Sequence, residues 1–163
     1  GLRTVFLKGG TVTAGNASGI NDGAAALVLG RMDAVTRAGL TPRARILGYA
    51  HAGVRPEVMG IGPVPAVRAL LGRTGLKVSD FDVIESNEAF AAQALAVNKE
   101  LGLDPDKVNA NGGAIALGHP VGATGAILTI KALYELERTG GSKALITMCI
   151  GGGQGIALAI QRM

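Results

Sequence analysis

The 163 residues predict an α/β domain, a mixed and mostly buried five-stranded sheet with helices on both faces. Three observations carry that expectation. Short apolar runs alternate along the chain with stretches of helical spacing. The runs are apolar throughout rather than at every second residue, as in strands covered on both faces. The last two runs, KALITMCI and GIALAIQRM, lie too close together for a crossover, so they pair antiparallel and the sheet is mixed.

The elements follow in order. TVTAGNASGINDG is a loop, because Asn, Asp, Ser and Gly supply turn chemistry. AAALVLG, residues 24–30, reads as a short buried strand, and MDAVTRAGL as a helix closed by Gly39. RARILGYAHAG is the next strand and VRPEVMGIGP a loop. PAVRALLGRTG carries apolar residues at helical spacing and ends at Gly75, a glycine placed to terminate a helix. DFDVIES is a strand leading into NEAFAAQALAVNKELG, a helix that is rich in alanine, acidic at its start and stopped by Gly102. VNANGGAIALGHPVGATG is a glycine-rich loop with room for a short strand, and AILTIKALYELERTG is a second long helix. No internal repeat is visible.

Composition narrows the function. Hydrophobic residues make up 48% and charged residues 17%, which is globular, and the chain is long enough to bury a core. Glycine is the outlier: 26 residues, well above the usual ~7% share, clustered as turns and close approaches would need. The single cysteine excludes an intramolecular disulfide framework and fits a reducing, cytoplasmic setting. No secretory leader pattern opens the chain. Two long uncharged stretches, residues 108–130 and 144–161, are broken by glycines and by His119 and Pro120, so they read as buried soluble segments and not as membrane spans. The net charge of +4 comes from scattered Arg and Lys without interleaved aromatics, which argues against nucleic acid.

Four positions could carry chemistry. His119 stands between Gly118 and Pro120, with a helix beginning near Thr124. Such a histidine is either a surface group or one held where helix N–H groups and bare backbone meet a ligand. Cys149 ends an apolar strand just before Gly151, Gly152 and Gly153. It is either an inert buried thiol or a nucleophile or acid/base, beside backbone N–H groups able to hold negative charge or lower a thiol pKa. Asn87 opens the helix after DVIES, either as its cap or as an amide at a strand's carboxyl end that orients a water or carbonyl. Ser18 is a turn residue or a ligand contact.

Taken together, GNASGINDGAA, NEAFAAQALAVNK, NGGAIALGHPVGATGA and CIGGGQG, in that order, closely resemble the thiolase family of acetyl-CoA acetyltransferases, from about residue 11 to the end. The resemblance is to the carboxyl-terminal half. It implies a division into residues 1–20, the end of a loop region, and 21–163, the second of two similar core domains. It implies CoA-dependent cleavage of 3-ketoacyl-CoA and, in reverse, condensation of two acetyl-CoA to acetoacetyl-CoA. The acyl group would be carried on a cysteine whose motif no residue here matches, so the chain alone is expected to be inactive. By the same resemblance Cys149 is the acid/base at Cα of the acetyl unit, and His119 activates the nucleophile and helps form an oxyanion hole. Asn87 would hold a water of that hole and the Gly151 N–H would belong to a second one. Ser18 would contact the pantetheine arm, with Met59 and Phe90 lining its channel. CoA and acyl-CoA thioesters are implied as substrates, with no permanently bound cofactor and no metal.

Two other readings compete. A non-catalytic fragment, or a subunit needing a separate amino-terminal half, would expose the surface that packs on that half, and is expected to self-associate into an oligomer. A nucleotide-binding module fits poorly, because GGGQG leads into a strand and no GxxxxGK[ST] is present.

Overall fold

The computed structural model describes all 163 residues. Its sheet has four strands: β1 (Ala44–Gly53), β2 (Val83–Ser86), β3 (Lys143–Ile150) and β4 (Gln154–Arg162), in the order β1-β4-β3-β2. β3 and β4 pair antiparallel across the glycine turn, β1 joins β4 antiparallel, and β2 joins β3 in parallel. The sheet is therefore mixed, as its last two strands foretold.

Side chains alternate between two cores. Ile84, Leu145, Ala157 and Ala159 face one cluster; Val83, Ala144, Ile146 and Ile160 face the other. Successive strand residues point to opposite faces, so a strand apolar at every position means that both faces are covered. Helix α2 (Pro63–Thr74) covers the first with Ala66, Val67 and Leu70. Helix α5 (Thr124–Thr139) covers the second with Leu128, Ala132, Leu133 and Leu136. Left-handed Gly75 ends α2 and Gly140 ends α5. Helix α3 (Ala91–Leu101) closes at left-handed Gly102.

Four expectations need correction. Residues 24–30 are not a strand. They have no ladder partner, and an isolated extended run cannot satisfy its own backbone groups, so Val28 stands 92% exposed and the sheet lacks a fifth strand. The glycine-rich segment holds a short helix, α4 (Ala114–Leu117), in place of a short strand. The loop after β1 winds into a 3₁₀ helix, Pro56–Ile61, that runs into α2 at Pro63. Helix α3 starts at Ala91, not at Asn87, because residues before it are held extended: Phe90 bridges Ala17, and the Ala91 N–H donates to Asn16 O. Helix α1 (Met32–Arg37) forms as expected, with Gly39 left-handed beyond it.

Candidate active site

The site grows from the carboxyl end of β2. Asn87 continues that strand by one step, its N–H donating to Thr147 O of β3 at 3.0 Å. The free edge of β2 is closed by Asn109, whose side chain pairs with the Ser86 backbone: Oδ1 accepts from Ser86 N (2.9 Å) and Nδ2 donates to Ser86 O (2.8 Å). Glu88 then ties down the glycine-rich segment, accepting from Asn109 Nδ2 (3.2 Å) and from the Ile115 N–H (3.2 Å). A side chain at Gly113 would occupy the space of the Glu88 carboxylate. These contacts deliver the chain to His119, whose N–H donates to Gly19 O at 3.0 Å.

The His119 ring is held from both sides. Nδ1 lies 2.7 Å from Thr124 Oγ1, and that hydroxyl donates to Pro120 O at 2.9 Å. A hydroxyl has one proton. With it committed to Pro120, Thr124 must accept, so the hydrogen-bond network assigns the proton to His119 Nδ1. Nε2 is then a lone pair, and it faces Asn87 Nδ2 at 3.4 Å. Asn87 is 1% exposed and its Oδ1 has no partner. A buried amide oxygen without a partner is costly, so it fits a bound water or substrate donor.

Cys149 lies on β3 at the same end of the sheet, just past the residue that pairs with Asn87. It is 6% exposed, and its sulfur hydrogen-bonds to neither His119 nor Asn87. Burial pushes the thiol up, outweighing the one backbone bond that pulls it down. The glycine donors beyond it therefore do not make it a ready thiolate, contrary to one sequence expectation. The Gly151 N–H donates to no backbone acceptor, while Gly153 O accepts from Val54 N (2.8 Å) and pins the turn to the end of β1.

The remaining positions divide. Ser18 and Phe90 come together, since Ser18 N donates to Ala89 O at 3.0 Å beside the Ala17–Phe90 bridge. Phe90 also meets Phe6 edge-on at 5.9 Å. Met59 is carried on the 3₁₀ helix, which packs against α3 and β3. The sequence suggested no functional role for Thr124, Asn109 or Glu88. The only signal for them was their place inside the same motifs.

Burial also holds the His119 imidazole below its ordinary pKa. The unfolded chain then binds the proton more readily than the folded one. The stabilisation is complete above about pH 6.5 and is lost as pH falls through that value toward the lower folded pKa. Denaturation midpoints measured on either side of pH ~6.5 should fall more on acidification in the parent than in His119→Gln. Equal falls would show that His119 is unshifted.

A family model described as "Thiolase, C-terminal domain" matches residues 40–162, and one described as "Thiolase, N-terminal domain" matches residues 1–33. Beta-ketothiolase BktB of Cupriavidus necator is 64% identical over 163 residues, covering 99% of this chain and 41% of that protein. Among solved structures, Bacillus anthracis acetyl-CoA acetyltransferase superposes with a TM-score of 0.96 at 53% identity, covering all of this chain and 41% of its own. Human mitochondrial 3-ketoacyl-CoA thiolase in complex with CoA superposes at 0.91 with 49% identity, covering 99% and 41%. The chain thus spans about two fifths of the length of the relatives it matches.

Proposed function

The chain belongs to the thiolase family, and from that premise we propose that it supplies the carboxyl-terminal half of an enzyme transferring acyl groups between CoA thioesters. In the cleavage direction a thiolate from the amino-terminal half attacks the 3-keto carbonyl of the substrate. The Cα–Cβ bond breaks, the acyl group stays on that sulfur, and the electron pair passes to the acetyl-CoA enolate. CoA thiolate then removes the acyl group. Thiolysis and Claisen condensation are the two directions of this scheme.

Each residue has a role under this reading. The His119 Nε2 lone pair receives the proton of the attacking thiol and afterwards donates to the thioester oxygen. Asn87 holds a water in that oxyanion site through its unpartnered Oδ1. Cys149, kept protonated by burial, gives its proton to the enolate carbon. The unbonded Gly151 N–H contributes to a second oxyanion site. Ser18, Met59 and Phe90 line the pantetheine channel, residues 1–20 end the loop region, and residues 21–163 form the core domain. CoA acts as substrate, and no resident cofactor enters the scheme.

One observation carries the proposal. His119, held through Nδ1 by Thr124, turns Nε2 toward Asn87 at 3.4 Å at the sheet end that also carries the buried Cys149. The sequence holds one cysteine, and this scheme uses two thiols, one to carry the acyl group and one to move the proton. The amino-terminal half, in the same or another chain, is therefore a required partner. Exposed apolar side chains such as Phe6, Ile20 and Val28 suit packing on it and association of copies.

CoA-dependent cleavage of acetoacetyl-CoA tests this. The 163-residue chain alone is expected to give no turnover. Mixed with the part of Cupriavidus necator beta-ketothiolase BktB that it does not cover, it should give turnover. Two folded halves that associate without activity would favour the non-catalytic reading. Turnover by the chain alone, lost in Cys149→Ala, would overturn the division of roles.

A further inference from the structure

Buried Glu85 and half-buried Lys131 form an ion pair that the chemistry above does not use. Glu85 lies in β2 and is 0% exposed; Lys131 is in α5. Lys131 Nζ donates to Glu85 Oε2 at 2.8 Å and to Gly112 O at 2.6 Å. Glu85 Oε1 has no partner. One ammonium therefore joins β2, the glycine-rich segment and α5.

Those are the three pieces that carry Asn87, His119 and Thr124. In extended chain, residues two apart share a face, so Glu85 and Asn87 both point toward α5, as Val83 does within the α5 core. On a helix, residues seven apart complete about two turns of 3.6 residues each, so Lys131 lies under Thr124 on the same stripe. The Glu85–Lys131 contact is one step behind the Asn87–His119–Thr124 contacts, between the same two elements. Gly112, left-handed at φ 86°, closes the turn that begins at Asn109, and the short helix α4 carries the chain from there to His119.

We propose that Lys131, braced by Glu85, is a positioning residue for His119. It sets the spacing between β2 and α5, and through Gly112 O it sets the loop, so that Nδ1 meets Thr124 while Nε2 meets Asn87. Removing it alters none of those three side chains chemically but lets the loop shift, so His119 loses its fixed hold on Thr124 and Asn87 and the single tautomer is lost. The catalytic meaning of this rests on the acyl-transfer reading. The ring-nitrogen measurement does not, so a single-tautomer His119 in a chain that fails complementation would sink that reading and leave this one standing.

Ring ¹⁵N spectra of histidine-labelled chain decide it, with His51 removed as His51→Asn to leave His119 alone. The parent should show one Nδ1–H tautomer. Lys131→Met should show loss of that pattern and exchange between tautomers, and Lys131→Arg should largely restore it. An unchanged tautomer in folded Lys131→Met would overturn the proposal. If that variant does not fold, the Glu85→Gln/Lys131→Met pair, which leaves no unpaired buried charge, takes its place with the same two outcomes. Failure of both to fold would make the pair structural and overturn the positioning role as well.

Discussion

In the complemented enzyme, Cys149→Ala is expected to lower kcat for acetoacetyl-CoA cleavage by roughly 10²–10⁴, the usual worth of a positioned acid or base. At ~1.4 kcal/mol per tenfold that is about 3–5.5 kcal/mol of transition-state stabilisation. On the proposed scheme the enolate that forms when the carbon–carbon bond breaks must be protonated on carbon, and a thiol kept neutral by burial presents the donor form. KM should change little, because in that scheme the sulfur would act on a proton in flight and not on the bound thioester. Folding should survive too, since the change removes one sulfur from a β3 position paired with Gly155. The measurement is steady-state kinetics of parent and variant halves at equal complementation. Activity within a few-fold of the parent would make Cys149 an inert core thiol.

The fold was legible where both neighbours of an element lie within the chain. KALITMCI and GIALAIQRM carry apolar residues on both faces because α2 and α5 cover opposite sides, and their short turn forces antiparallel pairing. AAALVLG has the same look and misleads, because composition records that a run is apolar, not whether a ladder partner exists. The start of α3 misleads for a related reason. Asn87 is a good cap by residue type, yet it is held in strand geometry by Thr147 and faces His119, both contacts remote in sequence. His119 and Cys149 were legible as candidates because glycines flank them. The direction of the Cys149 pKa was not, since it depends on burial that no local pattern records. Nor was Lys131, a charged residue in an amphipathic helix until Glu85 and Gly112 O are seen beneath it.

Gly155→Ala is expected to destabilise the chain by about 3 kcal/mol or more, the upper end of overpacking costs. A methyl group at Gly155 would run into the carbonyl of Gly62 and the nitrogen of Pro63, and one at Gly62 would run into the Gln154 carbonyl. The obstacle in each case is backbone, which cannot rotate away as a side chain can. Urea unfolding should show a lower midpoint with an unchanged slope. Gly72→Ala is the contrast. That glycine sits inside α2 with open space around it, so alanine should stabilise by roughly 0.5–1 kcal/mol through helix propensity alone. The close approach of Gly62 to Gly155 also fixes the 3₁₀ helix bearing Met59 against the start of β4, one turn away from Gly151. If Met59 lines the pantetheine channel as proposed, Gly155→Ala should also raise KM for acetoacetyl-CoA in whatever complemented fraction remains folded. A variant as stable as the parent would mean that the two backbones do not touch.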